Sequence, residues 1–95
     1  MSDMTTLHIQ VQINDLAAWK AGFADHAEIR RKAGVRTESV RHPAGDESTL
    51  VVDLDFSSVG EAESFLGFLQ DNVWKDQPVL ARPPQATILE PLELA

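Results

Sequence analysis

The chain has 95 residues, of which 43% are hydrophobic and 24% charged, and this composition is typical of a folded globular protein rather than a disordered or fibrous one. A chain of this length predicts one small domain over residues 1–95, whose thin core would gain from pairing with a second subunit. Fifteen acidic against eight basic residues give a net charge of −7. That charge repels phosphate backbones and anionic lipids, so nucleic acid and membrane surfaces are excluded as expected partners.

The sequence contains no cysteine, which excludes disulfides, thiolate nucleophiles and cysteine zinc sites. The three histidines, His8, His26 and His42, fall in separate predicted elements, so their spacing predicts no metal site. The opening residues, MSDMTTLHIQ, have neither the pattern of a signal peptide nor an apolar run long enough to cross a bilayer. We therefore expect a cytoplasmic protein that uses no metal and no cofactor.

The first half of the chain predicts a strand, a helix and a second strand. Residues 6–13 alternate between apolar and polar side chains, as a half-buried strand does. Asp15 then stands at a helix N-cap position, a helical pattern runs to Ala33, and Gly34 supplies the left-handed residue that commonly ends a helix. Residues 35–42 predict a polar edge strand, followed by the turn-forming residues 43–46.

The second half repeats the order of strand, helix and strand. Residues 49–56, TLVVDLDF, alternate and predict a strand joined to the previous one as a hairpin. Ser58 and Glu61 have the spacing of a capping box, and an apolar stripe continues from there over four turns until Pro78 excludes a helix. The segment ATILEPLEL, residues 86–94, predicts a last strand that Pro91 confines to an edge or a bulge.

The element order predicts an α+β protein with the ferredoxin-like βαββαβ fold, in which two helices cover one face of a four-stranded antiparallel sheet. The uncovered face would carry His8, Gln10, Gln12, Asp53 and Asp55. RNA-recognition domains of this topology need aromatic residues there, and the aspartates repel phosphate. The face is therefore either solvated or closed against a second copy to form a dimeric α/β barrel. The apolar C-terminal segment favours the dimer, although it could also pack inside its own subunit.

Two ionisable side chains lie on the apolar band of the first helix. His26 and Arg30 are one turn apart and share that band with Trp19 and Phe23, so a pocket edged by these four residues is predicted. The imidazole of His26 and the guanidinium of Arg30 could hold the carboxylate, phenolate or carbonyl oxygen of a small ligand. The alternative is structural: Arg30 lays its methylenes on the sheet, and His26 bonds a backbone carbonyl or a carboxylate.

Two further groups of residues have more than one interpretation. His8 and Asp53 fall on neighbouring central strands and could form an acid–base pair, or they could be two polar residues lining a wet interface. Phe68 and Trp74 lie off the apolar stripe of the second helix. They could cover a pocket mouth or contact a second subunit, which we favour, unless the helix breaks before Trp74.

Residues 11–26, VQINDLAAWKAGFADH, and 51–69, VVDLDFSSVGEAESFLGFL, together with the element order, resemble the dimeric α/β-barrel superfamily. Within it, the chain is similar to the small antibiotic-biosynthesis monooxygenases and cyclase-like proteins. The resemblance implies a homodimer whose sheets face each other, with a pocket between helices and sheet in each subunit. Some members oxidise polycyclic aromatic metabolites with molecular oxygen and no metal or flavin, others cyclise polyketides, and others degrade haem.

Haem-degrading members combine an asparagine, a tryptophan and a histidine in the pocket, whereas this chain has Gln10 and Gln12 on strand one and no histidine after Trp74. The predicted function is therefore a cofactor-independent monooxygenase or cyclase-like enzyme acting on a small aromatic or polyketide-type metabolite. His26 or His8 would move a proton and Arg30 would hold an oxyanion, while Trp19, Phe23 and Asp53 would contact the ligand. The alternative is a homodimer that binds a small ligand, or is purely structural, without turnover.

Overall fold

The computed structural model describes residues 4–75 and 77–94 of the chain. One antiparallel sheet has the strand order β2-β3-β1-β4, and the helices lie over one of its faces, as the ferredoxin-like α+β prediction requires. The elements in chain order are β1 (Thr5–Gln12), α1 (Leu16–Asp25), α2 (Ala27–Ala33), β2 (Thr37–Arg41), β3 (Thr49–Phe56), α3 (Val59–Phe68), a π-helical turn (Leu69–Val73) and β4 (Gln85–Leu89).

The register of the two central strands separates an apolar face of the sheet from a polar one. On β1 and β3, Leu7 pairs with Leu54 and Ile9 with Val52, while His8, between them, pairs with Asp53. Successive side chains on a strand point to opposite faces, so this pairing collects the apolar residues under the helices. The buried apolar face, which was predicted for β1 and β3, consists of Leu7, Ile9, Val11, Ile13, Leu50, Val52, Leu54 and Phe56.

Helix α3 closes the core over this face. Its Ala62 and Phe65 are buried, and the rings of Phe65 and Phe56 have centroids 5.8 Å apart. Phe68 stacks on Phe65 at 5.9 Å, and both Phe68 and Trp74 pack partly buried against the core. The two aromatics that lie off the predicted apolar stripe, for which contact with a second subunit was favoured, therefore have partners within the protomer. The helical wheel misplaced Trp74 because a π-helical turn follows α3 and changes the angle between residues. Phe68 is the last residue of α3, before that turn, and the wheel did not predict its stacking on Phe65.

The long first helix that the sequence predicts is broken into α1 and α2 at His26, whose backbone has φ −97° and ψ 10°. Asp15 caps α1 by accepting a hydrogen bond from the Ala18 N–H, and Gly34 ends α2 with φ 104°, as predicted. The break lies where side chains bond to helix carbonyls, a recognised cause of kinks. Because α1 contains no fully buried residue, space remains between this helix and the sheet.

The two edges of the sheet differ from the sequence prediction in length. Every residue of β2 is exposed, as expected of an edge strand, and the strand begins at Thr37 rather than residue 35. Strand β4 ends at Leu89, before Pro91, so the predicted last strand is cut short. Beyond it, Leu92 and Leu94 are 81% and 91% exposed. Among the described residues, none of the helices has the length and apolar character needed to traverse a bilayer.

Candidate functional site

A cavity of about 280 Å³ lies between the apolar face of the sheet and the helices. It occupies the space that α1 leaves by standing away from the sheet, and its lining is mainly apolar. A buried apolar cavity of about 150 Å³ admits benzene, so this one is large enough for a larger aromatic molecule. The sheet contributes Ile9, Val11, Val52 and Leu54, and the principal side chains around them are Trp19, Phe23, His26, Arg30, Phe65, Leu69, Val73, Trp74 and Gln77.

The four residues predicted to edge a pocket all line this cavity. Trp19 and Phe23 are one turn apart on α1, and their rings stack with centroids 4.9 Å apart and planes 18° apart. The pair therefore forms one continuous aromatic wall. Trp74 lines the cavity as well, which sequence reasoning included only as one of three alternatives. Its contribution depends on the π-helical turn, for which the residue pattern gives no signal.

His26 supplies a ring nitrogen whose partner fixes the position of its proton. The Nδ1 atom lies 2.7 Å from the carbonyl oxygen of Gly22, one turn earlier. Because a carbonyl oxygen only accepts, Nδ1 is the donor, and in the neutral ring Nε2 keeps the lone pair. The side chain is partly exposed and lines the cavity, so it can offer a hydrogen-bond acceptor or a base to a bound molecule.

Arg30 is 5% exposed and is held by three hydrogen bonds. Its Nε and Nη2 atoms donate to the two carboxylate oxygens of Glu38, over 2.8 and 3.1 Å, and its Nη1 donates to the carbonyl of Phe23 over 2.6 Å. The guanidinium carbon also lies 3.6 Å from the centre of the Phe23 ring. This fork of two parallel bonds fixes the guanidinium plane firmly at the edge of the cavity.

Sequence reasoning did not identify Glu38 as the partner of Arg30. Glu38 lies on the edge strand β2, where a charged residue is expected for ordinary reasons of solubility. The one available signal was that β2 follows α2 almost at once, so that residues eight apart, one on each element, can meet across the short connection.

The predicted His8–Asp53 pair is present, on the opposite face of the sheet. His8 Nδ1 lies 2.6 Å from one oxygen of Asp53, and Arg41 Nη2 donates to the other oxygen over 2.8 Å. Next along the same strand, Asp55 accepts hydrogen bonds from the hydroxyls of Thr6 and Thr37. Side chains from three neighbouring strands thus form two polar clusters on the uncovered face, one around Asp53 and one around Asp55. Arg41 and the two threonines in these clusters were not predicted.

The structure therefore separates the predicted site residues into two groups. Trp19, Phe23, His26 and Arg30 line the cavity, whereas His8 and Asp53 lie on the other side of the sheet, because neighbouring residues on β1 and β3 point to opposite faces. Within one protomer, His8 cannot share a ligand with His26. The assignment of both histidines to proton transfer stays a prediction, but only His26 belongs to the cavity.

Shifted pKa values occur at exposed or half-buried groups away from the cavity. A hydrogen bond from Arg31 lowers the pKa of Glu28, and the same bond raises the pKa of Arg31. The pKa of Asp46 is lowered by the hydroxyl and N–H of Ser48, and that of Glu61 by the hydroxyl of Ser57. Across residues 4–75 and 77–94, no three His, Asp or Glu side chains come close enough together to hold a metal ion.

Comparison with solved structures places this architecture among known folds. A protein of Nitrosomonas europaea provisionally described as an antibiotic biosynthesis monooxygenase matches 97% of this chain and 93% of its own, with a TM-score of 0.74 at 14% identity. A protein of Mycobacterium tuberculosis matches 97% and 98%, with a TM-score of 0.67 at 20% identity. A dimeric ferredoxin-like protein from an uncultured marine organism matches 98% and 96%, with a TM-score of 0.61 at 15% identity.

The chain has the ferredoxin-like fold of these solved structures. At identities of 14–20% the likeness establishes the fold and not the activity. No protein-family model matches the sequence, and neither does any curated protein. The resemblance noted in residues 11–26 and 51–69 is thus confirmed at the level of the fold. Among the described residues, the cavity between α1 and the sheet is the part of this fold best suited to a small ligand.

Proposed function

We propose that the cavity binds a small aromatic or polyketide-type metabolite, and that the protein is a cofactor-independent monooxygenase or cyclase-like enzyme. The observation that carries this proposal is the position of His26 on the lining of an apolar cavity, with its Nδ1 proton engaged by the Gly22 carbonyl. In the neutral ring Nε2 then keeps a lone pair, to which no side chain of the described residues donates, and the ring lies beside a space with aromatic walls. An apolar pocket with a few polar groups is the usual form of a small-molecule site.

In the proposed reaction His26 removes the proton of a phenolic hydroxyl group on the bound molecule. The resulting phenolate is electron-rich and is the species that molecular oxygen oxidises. In balance, a phenol and O2 give a quinone and water: one oxygen atom enters the ring, and the other leaves as water with the two hydrogens lost by the substrate. A cyclase-like reaction would need only the proton transfer, because the carbon–carbon bond then forms within the substrate.

Arg30 would assist by donating its remaining N–H groups to the developing oxyanion. The three bonds that it makes to Glu38 and Phe23 use three of its five N–H groups, so two are left for a ligand. Because the fork to Glu38 fixes the guanidinium plane, those donors are held in place before the substrate binds. Donors fixed in advance are the more effective ones in stabilising a transition state.

The proposed assembly is a homodimer in which the uncovered sheet faces of two copies meet. The marine neighbour is described as dimeric, which supports the proposal for this chain. The polar network of His8, Asp53 and Arg41 would then lie inside the shared barrel. The exposed leucines beyond β4, Leu92 and Leu94, would find apolar surface on the second copy.

The alternative function is a homodimer that binds a ligand, or is only structural, without turnover. It is supported by the near-complete burial of Arg30 in an ion pair within the protomer, since an arginine already bonded in this way can serve the fold alone. In that case the cavity could still bind an aromatic molecule. The two functions therefore differ in turnover, measured as oxygen consumption or as cyclised product, rather than in binding.

A thermal-shift screen of hydroxylated naphthalenes and anthracenes tests the proposal, because binding to the native state alone raises stability, by about 2.7 kcal/mol at a ligand concentration a hundred times Kd. Compounds that shift the melting temperature are then assayed for oxygen consumption. Ala18→Phe, on the cavity lining, should abolish the shift, whereas Ala21→Phe, exposed on the same helix, should retain it. An equal shift in both variants would place the ligand elsewhere, and binding without oxygen consumption or cyclised product would favour the alternative.

A further inference from the structure

Glu38 is the counter-ion of Arg30 at the polar end of the cavity, although it does not line the cavity itself. It holds the buried guanidinium of Arg30 through both carboxylate oxygens, at 2.8 and 3.1 Å. The Arg30 side chain is 6% exposed and that of Glu38 is 38% exposed, so the cation belongs to the interior and its counter-ion to the rim. The pair brings no uncompensated charge to the cavity.

We propose that Glu38 determines the charge selectivity of this site, so that the cavity takes neutral aromatic molecules and disfavours aromatic carboxylates. This inference rests on the proposed binding of a small aromatic molecule, and it adds a specificity-determining residue to it. Glu38 contacts no ligand in this scheme. It acts through Arg30, whose charge it cancels and whose orientation it fixes.

The first argument concerns the charge that an anionic ligand would meet. A ligand carboxylate bonded to Arg30 would share one guanidinium with the carboxylate of Glu38, and two like charges around a single cation repel each other. The ligand carboxylate would also lose its hydration on entering a cavity whose lining is mainly apolar. A lone arginine would offset that loss of hydration, and an arginine already paired with Glu38 offsets less of it. The phenolate of the proposed reaction differs from such a ligand, because it forms inside the cavity with its proton on His26 and adds no net charge to the site.

The second argument concerns the hydrogen bonds that the polar end offers. Phe23 O and the two Glu38 oxygens occupy three of the five Arg30 N–H groups, and the remaining two can donate to a neutral oxygen. His26 Nε2 adds an acceptor, because its Nδ1 already donates to Gly22. A hydroxyl or a carbonyl group matches this set without bringing a charge into the cavity.

Titration calorimetry with two matched probes, 2-naphthamide and 2-naphthoate, tests the proposal, because the two are nearly equal in shape and differ by one negative charge. Wild type should bind the amide about tenfold more tightly, or better. Glu38→Gln keeps a side-chain oxygen to accept from Arg30 and removes the charge, so it should tighten 2-naphthoate binding about tenfold while leaving the amide within about twofold.

Glu28→Gln is the matched control, since it removes the same charge from an exposed ion pair with Arg31 on the same helix, outside the cavity. It should keep the wild-type preference, and so should Glu38→Asp, which retains the negative charge. A folded Glu38→Gln protein with an unchanged ratio of affinities overturns the inference.

If Glu38→Gln does not fold, the affinities of wild type for the two probes still test the inference. Equal or tighter binding of 2-naphthoate by wild type is incompatible with the selectivity proposed. If wild type binds neither probe, the outcome is different: the proposed binding of aromatic molecules is then wrong, and this inference fails with it. If wild type binds the amide but its preference for the amide over 2-naphthoate is the same in Glu38→Gln, the inference alone is removed and the proposed aromatic binding stands.

Discussion

The carboxylate of Glu61 on α3 lies against Gly34 at the end of α2, with its Oε2 atom 2.7 Å from the point where a β-carbon on Gly34 would stand. Gly34 also has φ 104°, in the left-handed region. Gly34→Ala should therefore destabilise the protein by about 1–2 kcal/mol from backbone strain alone, with an added cost for moving Glu61. Urea denaturation followed by circular dichroism measures this loss.

Gly67→Ala provides the control for that experiment. Gly67 lies within α3, and a β-carbon there would have no neighbouring atom within 4 Å. Alanine favours a helix over glycine, so this variant should gain about 0.5–1 kcal/mol. Changes of opposite sign in the free energy of unfolding for the two variants would support the geometry at Gly34. A Gly34→Ala protein with unchanged stability would contradict it.

Glu61 should also make stability depend on pH below its ordinary pKa of 4.5. Hydrogen bonds from the Ser57 hydroxyl, and then the Ser57 N–H, lower the pKa of this carboxyl in the folded protein. Since the folded pKa lies below the unfolded one, the stabilisation is fully present above pH 4.5 and is lost as the pH falls through the folded value. Glu61→Gln should therefore lose less stability on acidification than wild type.

Ser57→Ala checks the cause of that shift, because it removes the hydroxyl donor and leaves the carboxyl in place. Denaturation midpoints measured between about pH 7 and pH 3 should show a flatter acid limb in both variants. A Ser57→Ala protein with the wild-type acid limb would mean that the hydroxyl is not the main cause.

The strands and their faces could be predicted from the sequence because alternation has a period of two and fixes a face for each residue. The His8–Asp53 pair follows from that same rule together with the adjacency of the central strands, and the structure has it at 2.6 Å. The cavity lining of α1 followed from the helical period in the same way. In these cases local pattern and tertiary packing agree.

The break at His26 and the pairing of Glu38 with Arg30 could not be predicted from periodicity, because both depend on bonds between elements. A helical pattern runs through His26 without interruption, and it gives no sign that Arg30 will bond to the carbonyl of Phe23. Likewise, the length of β4 depends on where pairing with β1 ends, at Leu89, and not only on Pro91. Periodicity predicts the face of a helix or strand on which a side chain lies, but not the distance between a helix and the sheet.

The proposed dimer predicts that a new charge on the uncovered face will weaken association. Gln10 is exposed on β1, between Val51 and Gln85 on the neighbouring strands. In a dimer that buries this face, Gln10→Arg brings two cations into one interface and should weaken dimerisation by about tenfold or more. Sedimentation equilibrium over micromolar concentrations measures the change in Kd.

Gln70→Arg adds the same charge at an exposed position on the helical side of the protein, in the π-helical turn. It should leave the dimer intact. Equal effects of the two substitutions would indicate a change in net charge rather than a change in the interface, and a wild type that sediments near 10.5 kDa at every concentration would exclude the barrel.

His26→Asn should separate proton transfer from folding. Asparagine keeps an N–H donor for the Gly22 carbonyl but has no side-chain base, and the His26–Gly22 bond is only partly buried, so stability should fall by no more than about 1 kcal/mol. Oxygen consumption or cyclisation with a bound aromatic substrate should fall by about a hundredfold or more, as expected when a general base is removed, while Kd changes little.

His42→Asn is the control, because His42 also has Nδ1 bonded to a carbonyl oxygen but lies in an exposed loop outside the cavity. A His26→Asn protein with full turnover would exclude His26 as the base, and a loss of several kcal/mol in stability would assign it to the fold instead.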